Sequence, residues 1–149
     1  MEVKEIIELL NSELEDETQA ILFYMTIHAN SKSHKVKLAM LEVALEEMHH
    51  AQKISEAIVD LDGEAIINPR LYMEQLEHED VDFDDEDDEI ELLEKVVSLE
   101  EAGISKYTKH ISIIDDEEIK ELLTRVLGEE KEHLEEFKEI LEDLVEDKD

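Results

Sequence analysis

The sequence predicts an all-α protein: a four-helix bundle in which two helical hairpins are joined by one long crossover, with a pseudo-two-fold relation between the halves. Three observations carry this. The 149 residues include only three glycines and one proline. Long stretches place apolar side chains about 3.6 residues apart, the spacing of a helix face. The chain also repeats its most unusual residues at a fixed offset, and an internal repeat constrains architecture.

A chain of 149 residues is long enough for one well-cored domain and short for two, so residues 1–149 are expected to form a single domain. Hydrophobic residues make up 42%, enough for a core despite 40% charged residues. With no cysteine there is no disulfide framework, thiolate zinc site, iron–sulfur cluster or rubredoxin-type iron knot. The net charge is −31, from 45 acids against 14 bases. Phosphate-rich partners would be repelled, which argues against nucleic acid and anionic membranes and leaves cations as natural partners. A very soluble or salt-adapted surface explains the acidic excess equally well. No apolar run reaches the roughly 18 residues of a membrane span. Met1-Glu2-Val3-Lys4 lacks a signal-peptide core, so a cytoplasmic address is expected.

Helix one is expected over about 2–29, with Ile6 or Ile7, Leu10, Leu14, Ile21 and Met25 as its apolar line and Glu17 inside that line. Asn30 to Ser33 form a short polar turn. Helix two follows over about 34–61, closed by Asp62-Gly63 with Gly63 as the C′ residue. Residues 62–87 make the crossover: Asn68-Pro69-Arg70 breaks any helix, while Leu71-Tyr72-Met73 and Leu76 suit one short packed turn. Glu77 to Glu89 is an acidic run anchored only by Val81 and Phe83, read as a solvated loop or a cation-collecting lip. Helix three is expected over about 88–110, with Leu93, Val96, Gly103, Ile104 and Tyr107 around Glu100. Asp115 and Glu118 resemble a capping box that opens helix four at about 116–146. Its face carries Ile119, Leu123, Val126, Leu134, Phe137 and Leu141, with Glu130 and His133 among them.

The polar residues inside these apolar lines carry the functional signal. Glu47 and His50 stand three apart and share a face with Met40, Ala44, Ala51, Ile54 and Ile58. An acid and an imidazole aimed at a hydrophobic interior need partners, because a lone buried carboxylate is costly. An offset of 83 residues supplies them, placing Glu17 on Glu100, Tyr24 on Tyr107, Glu47 on Glu130 and His50 on His133 without a gap. Four carboxylates and two imidazoles then converge at mid-bundle. Two divalent cations would neutralise the four glutamates; without them some carboxyls would protonate. Hard oxygen with borderline nitrogen suits iron or manganese better than zinc or copper. The ligand set is that of di-iron carboxylate bundles generally. A lone Glu-x-x-His means little, whereas two, each matched to a core glutamate at equal spacing, form a specific pattern.

At these residues the chain resembles the ferritin-like superfamily, and within it the bacterioferritins more than the rubrerythrins. The resemblance covers nearly the whole chain and is closest in Glu17–Tyr24 (ETQAILFY), Glu46–Ala51 (EEMHHA) and Gly128–His133 (GEEKEH). It implies Glu17 and Glu100 as terminal ligands, Glu47 and Glu130 as bridging ligands, and His50 and His133 as terminal nitrogen ligands. It implies two iron ions per chain, with manganese as the other candidate metal, and oxidation of Fe(II) by dioxygen or hydrogen peroxide. Rubrerythrins usually carry a further glutamate where this chain has Val97, and a cysteine-ligated iron domain that is absent here. Ferroxidase chemistry is therefore favoured over peroxide reduction at a di-iron or di-manganese centre. A non-catalytic iron-buffering bundle is the alternative from another class. Bacterioferritins typically add a short fifth helix, and this chain stops sixteen residues past His133. A homo-oligomer is expected, either a dimer or a small cage.

Tyr24 and Tyr107 follow Glu17 and Glu100 by two turns and could hydrogen-bond a ligand carboxylate across the bundle, supply an electron, or simply pack. Met48 lies off the core face; by the resemblance it could ligate haem across a subunit two-fold, and otherwise it packs at a helix interface. His49 is read as a surface or access-route histidine, and His28 as a cap or surface group. Glu46, Glu101 and Glu129 are expected on solvated faces.

Overall fold

The computed structural model describes residues 1–68 and 84–148. Its four helices are α1 (Val3–Asn30), α2 (His34–Asp60), α3 (Glu86–Ile113) and α4 (Glu117–Lys148). α1 packs along α2 and α3 along α4, α2 lies against α4, and α1 and α3 scarcely touch. That last gap matters for the site. No helix among the described residues is long and apolar enough to cross a membrane.

Two apolar clusters hold the bundle. One joins Tyr24 and Ile27 to Val36, Met40, Val43, Leu93, Val96 and Phe137. The other joins Leu10 and Leu14 to Ile54, Ile58, Tyr107, Leu123 and Val126. Each fully buried Leu, Ile or Phe contributes about 1.5–3 kcal/mol. The two ends therefore supply the stability that a polar middle layer withholds. Helix phase differs locally from expectation. Met25 is 39% exposed, with Tyr24 and Ile27 turned inward beside it, and Ile140 is buried where Leu134 and Leu141 are only half-buried.

The helix ends explain three further differences. Asp62, not Gly63, takes the left-handed conformation (φ 62°) at the end of α2. The Gly63 N–H reaches back to the Ile58 carbonyl and the Asp62 N–H to that of Val59, both at 2.9 Å, which satisfies the last carbonyls. Gly63 is required for a different reason: a Cβ there would lie 2.9 Å from the Ile7 side chain. At the start of α4, Asp116 rather than Asp115 caps, accepting from the Ile119 N–H at 3.2 Å. Asp115 is drawn off by the N-terminal amine, 2.9 Å away.

The last part of the expected acidic loop, Glu86 to Glu89, is the first turn of α3, where acids favour the helix dipole and Asp85 caps. Glu89 is buried and accepts the Ser31 hydroxyl, tying the α1–α2 turn to α3. His28 joins that turn too, its Nδ1–H donating to the Lys37 carbonyl at 2.7 Å. The Pro69-Arg70 break and the anchors Leu71, Tyr72, Met73, Leu76, Val81 and Phe83 lie outside the described residues.

Candidate metal centre

Between the two apolar clusters each helix contributes polar side chains at the same level: Glu17 from α1, Glu47 and His50 from α2, Glu100 from α3, Glu130 and His133 from α4. All six are buried, none more than 5% exposed. Glu17, Glu47, His50 and Glu130 each offer one donor atom within 4.8 Å of the others, and so do Glu47, Glu100, Glu130 and His133. Glu47 and Glu130 belong to both sets.

His50 Nδ1 lies 3.1 Å from Glu130, 3.7 Å from Glu17 and 3.8 Å from Glu47. His133 Nδ1 lies 2.9 Å from Glu47 and 3.6 Å from Glu130. The 2.9 Å approach is not a hydrogen bond: Glu47 Oε1 and His133 Nδ1 are both left without a hydrogen-bond partner, as is Glu17 Oε2. Buried polar atoms normally pair, so three orphans converging on one small space fit an electrophile between them rather than one another. The donor chemistry is that of hard or borderline divalent cations.

The electrostatics of the cluster follow from crowding. Burial, then the neighbouring Glu47 charge, holds Glu17 well above the usual carboxylate range. Burial, reinforced by Glu130, pushes Glu100 up to about 10. Burial opposes ionisation of Glu130 too, yet the facing imidazoles of His133 and His50 draw it below its ordinary value. For His133, burial is outweighed by Glu130 and Glu47, which hold it up to about 11; His50 is raised in the same way. Protons therefore stand in for cationic charge.

Hydrogen bonds brace the cluster from outside. Tyr24 on α1 donates to Glu100 on α3, and Tyr107 on α3 donates to Glu17 on α1. Each imidazole is held through its far nitrogen: His50 Nε2–H donates to Glu129 and His133 Nε2–H to Glu46. That contact leaves each Nδ1 facing the carboxylates. Glu46 and Glu129 were expected on solvated faces, and about half of each carboxylate is indeed exposed, but the exposed groups bend over the neighbouring helix to the histidines. The signal was present, since the offset of 83 residues pairs Glu46 with Glu129 as well. Glu13 and His110 were also missed: Glu13 is fully buried and its Oε1 lies 2.5 Å from His110 Nδ1.

The remaining candidates lie elsewhere. Met48 is 54% exposed on the outer side of α2, and His49 and Glu101 are exposed. Where α1 and α3 part, a cavity of about 660 Å³ reaches the carboxylates, walled by Ala20, Phe23, Leu99, Gly103 and Tyr107. A Cβ at Gly103 would meet nothing within 4 Å, so this wall is open space.

A single-crossover four-helix bundle with two donor clusters sharing two carboxylates defines a class of metal-binding bundle. The chain belongs to the ferritin-like domain family, whose model matches residues 7–146. Solved structures agree. A dodecameric thioferritin, the bacterioferritin-related protein from Bacteroides fragilis, superposes with a TM-score of 0.84 at 26% identity, over 99% of this chain and 90% of that one. Ferritin-like diiron-carboxylate proteins from Bacillus anthracis give 0.76 at 27% identity, over 95% and 99%. The Desulfovibrio desulfuricans bacterioferritin, whose diiron site was captured in different catalytic states, gives 0.81 at 23% identity over 97% and 82%, a likeness of fold. The sequence finds no significant match among curated proteins.

Proposed function

We propose that this chain is a ferroxidase-type protein that binds two Fe(II) ions and promotes their oxidation by dioxygen or hydrogen peroxide. The observation that carries this reading is the sharing of Glu47 and Glu130 by two otherwise separate donor sets. Glu17 and His50 would complete one position, and Glu100 and His133 the other. The bound iron supplies the redox chemistry, one electron from each ion.

The chain's own residues supply position and charge. Four carboxylates match the charge of two divalent ions, and loading displaces the proton that Glu100 holds at neutral pH and competes with the raised proton affinity of Glu17. Tyr24 and Tyr107 keep the terminal carboxylates from swinging, and Glu46 and Glu129 do the same for the imidazoles. The gap between α1 and α3 offers ions and oxidant a way in. Manganese would satisfy the same donors.

Self-association is part of the proposal. Leu38, Leu45 and Met48 stand exposed on the outer side of α2, at 59%, 57% and 54%. The Bacteroides fragilis relative is dodecameric.

The test is anaerobic Fe(II) titration followed by admission of dioxygen, with oxidation followed by absorbance. Two ions held by the six central residues, oxidised within seconds to minutes, are expected; Glu47→Ala should abolish paired binding. Tight binding without fast oxidation would replace the reading with iron buffering. Repeated peroxide consumption without net iron uptake would replace it with peroxide reduction.

A further inference from the structure

The offset that maps Glu17 onto Glu100 also maps Glu13 onto Val96 and Ile27 onto His110. In one half of the bundle, Ile27 and Val96 are a buried apolar pair, 1% and 0% exposed, in the cluster around Tyr24 and Phe137. In the other half the same two places hold a fully buried carboxylate and an imidazole. One molecule thus contains both solutions to one packing problem, and the apolar one suffices.

The polar solution is also incomplete. Glu13 Oε1 meets His110 Nδ1 at 2.5 Å, but Glu13 Oε2 is buried with no hydrogen-bond partner. A buried oxygen left unmet is costly to the fold. His110 supplies no compensating charge, because burial, then Lys106 and Lys109, lowers its proton affinity, and burial instead raises that of Glu13. Glu13 lines the cavity between α1 and α3 together with Asp16, Glu17 and Tyr107. Tyr107 donates to Glu17, so the orphaned oxygen stands one helical turn from the paired centre and on its access side. At the cavity rim, Asp16 is held by Lys106 Nζ at 2.7 Å.

We propose that Glu13 and His110 form a third, mononuclear binding site for a divalent transition-metal ion. A carboxylate with an unused oxygen and a neutral imidazole are two donors of the kind such ions prefer, and water from the cavity completes the shell. Glu13 stands one helical turn before Glu17 and lines the same cavity, so the third ion is held beside the paired centre, ready to pass inward. This inference needs metal binding alone and does not depend on the oxidation chemistry.

Anaerobic Co(II) tests it, by equilibrium dialysis with metal analysis and by anomalous scattering from Co(II)-soaked crystals. The native chain should take three ions, one between Glu13 and His110. The double variant E13V/H110I copies the pair used by the other half; it should fold, by circular dichroism and melting, and take two ions. Glu13→Gln keeps the shape and should weaken the third ion at least about 10-fold while leaving the other two unchanged. Two ions in the native chain, both among the six central residues, would overturn the third site and leave the paired centre standing. One ion at Glu13–His110 alone would do the reverse. Three ions retained by E13V/H110I would overturn it as well.

Discussion

His50 on α2 is held through its Nε2–H by Glu129 on α4, a residue from the neighbouring helix and about half exposed. The contact fixes which nitrogen faces the carboxylates and couples an outward-lying residue to the buried centre. Glu46 holds His133 in the mirror arrangement. Replacing Glu129 with Ala should therefore lower metal affinity about 10–100-fold without removing a ligand. Metal titration at two ions per chain checks it: unchanged affinity would mean that packing alone orients the ring. Glu46→Ala should act on the His133 side, and the double variant should cost more than either single one.

Tyr107→Phe removes the donor to Glu17 and leaves another buried carboxylate oxygen unmatched. The metal-free protein should lose about 1–3 kcal/mol by denaturant unfolding. Tyr24→Phe should cost a similar amount through Glu100. A loss well under that range would mean that the carboxyls turn to find water.

The stability of the metal-free protein should fall as pH rises. Glu13 is pushed by burial to about 8 and Glu100 to about 10, from an ordinary value of 4.5. A carboxyl that holds its proton more tightly when folded gives its full stabilisation below the unfolded pKa. It loses that stabilisation as pH climbs through the folded value, at up to about 1.4 kcal/mol per pH unit for each group. His133, held up to about 11, adds to the trend above its unfolded value of 6.5. Melting should thus be lower at pH 8.5 than at 5.5. Metal loading should reverse the slope, since cations replace protons. A flat profile in the metal-free protein would contradict the crowding of carboxyls.

Gly103 separates two roles for the cavity. Gly103→Ala meets nothing within 4 Å and should stabilise α3 by up to about 1 kcal/mol, seen as a small rise in melting temperature. Gly103→Phe fills the wall beside Glu100 and should slow Fe(II) oxidation while leaving the final metal count unchanged from that of the native chain. Unchanged rates would place the access route elsewhere.

Removing the metal by chelation should leave the helices intact. The apolar clusters around Phe137 and Leu123 flank the polar layer and bury their side chains without metal. Circular dichroism should change little while melting falls; outright unfolding would make the cations part of the core.

The sequence by itself determined the four helices, their pairing into two hairpins, and six buried polar residues at mid-bundle. Helical period and a fixed offset are local and countable properties, and a glutamate inside an apolar stripe has no other face to occupy. Tertiary structure alone decided what depends on a neighbour's rotation and reach. Asp116, directly before Glu117, caps the last helix, while Asp115 pairs with the N-terminal amine. Gly63 is needed for the closeness of Ile7 and not for its own dihedral angle. Glu46 and Glu129 point off their own core face, yet long side chains reach the next helix where α2 meets α4. Glu13 and His110, 97 residues apart, meet only because α1 and α3 run alongside each other past the centre. Periodicity tells which side of a helix faces inward; what waits there is set by the other helices.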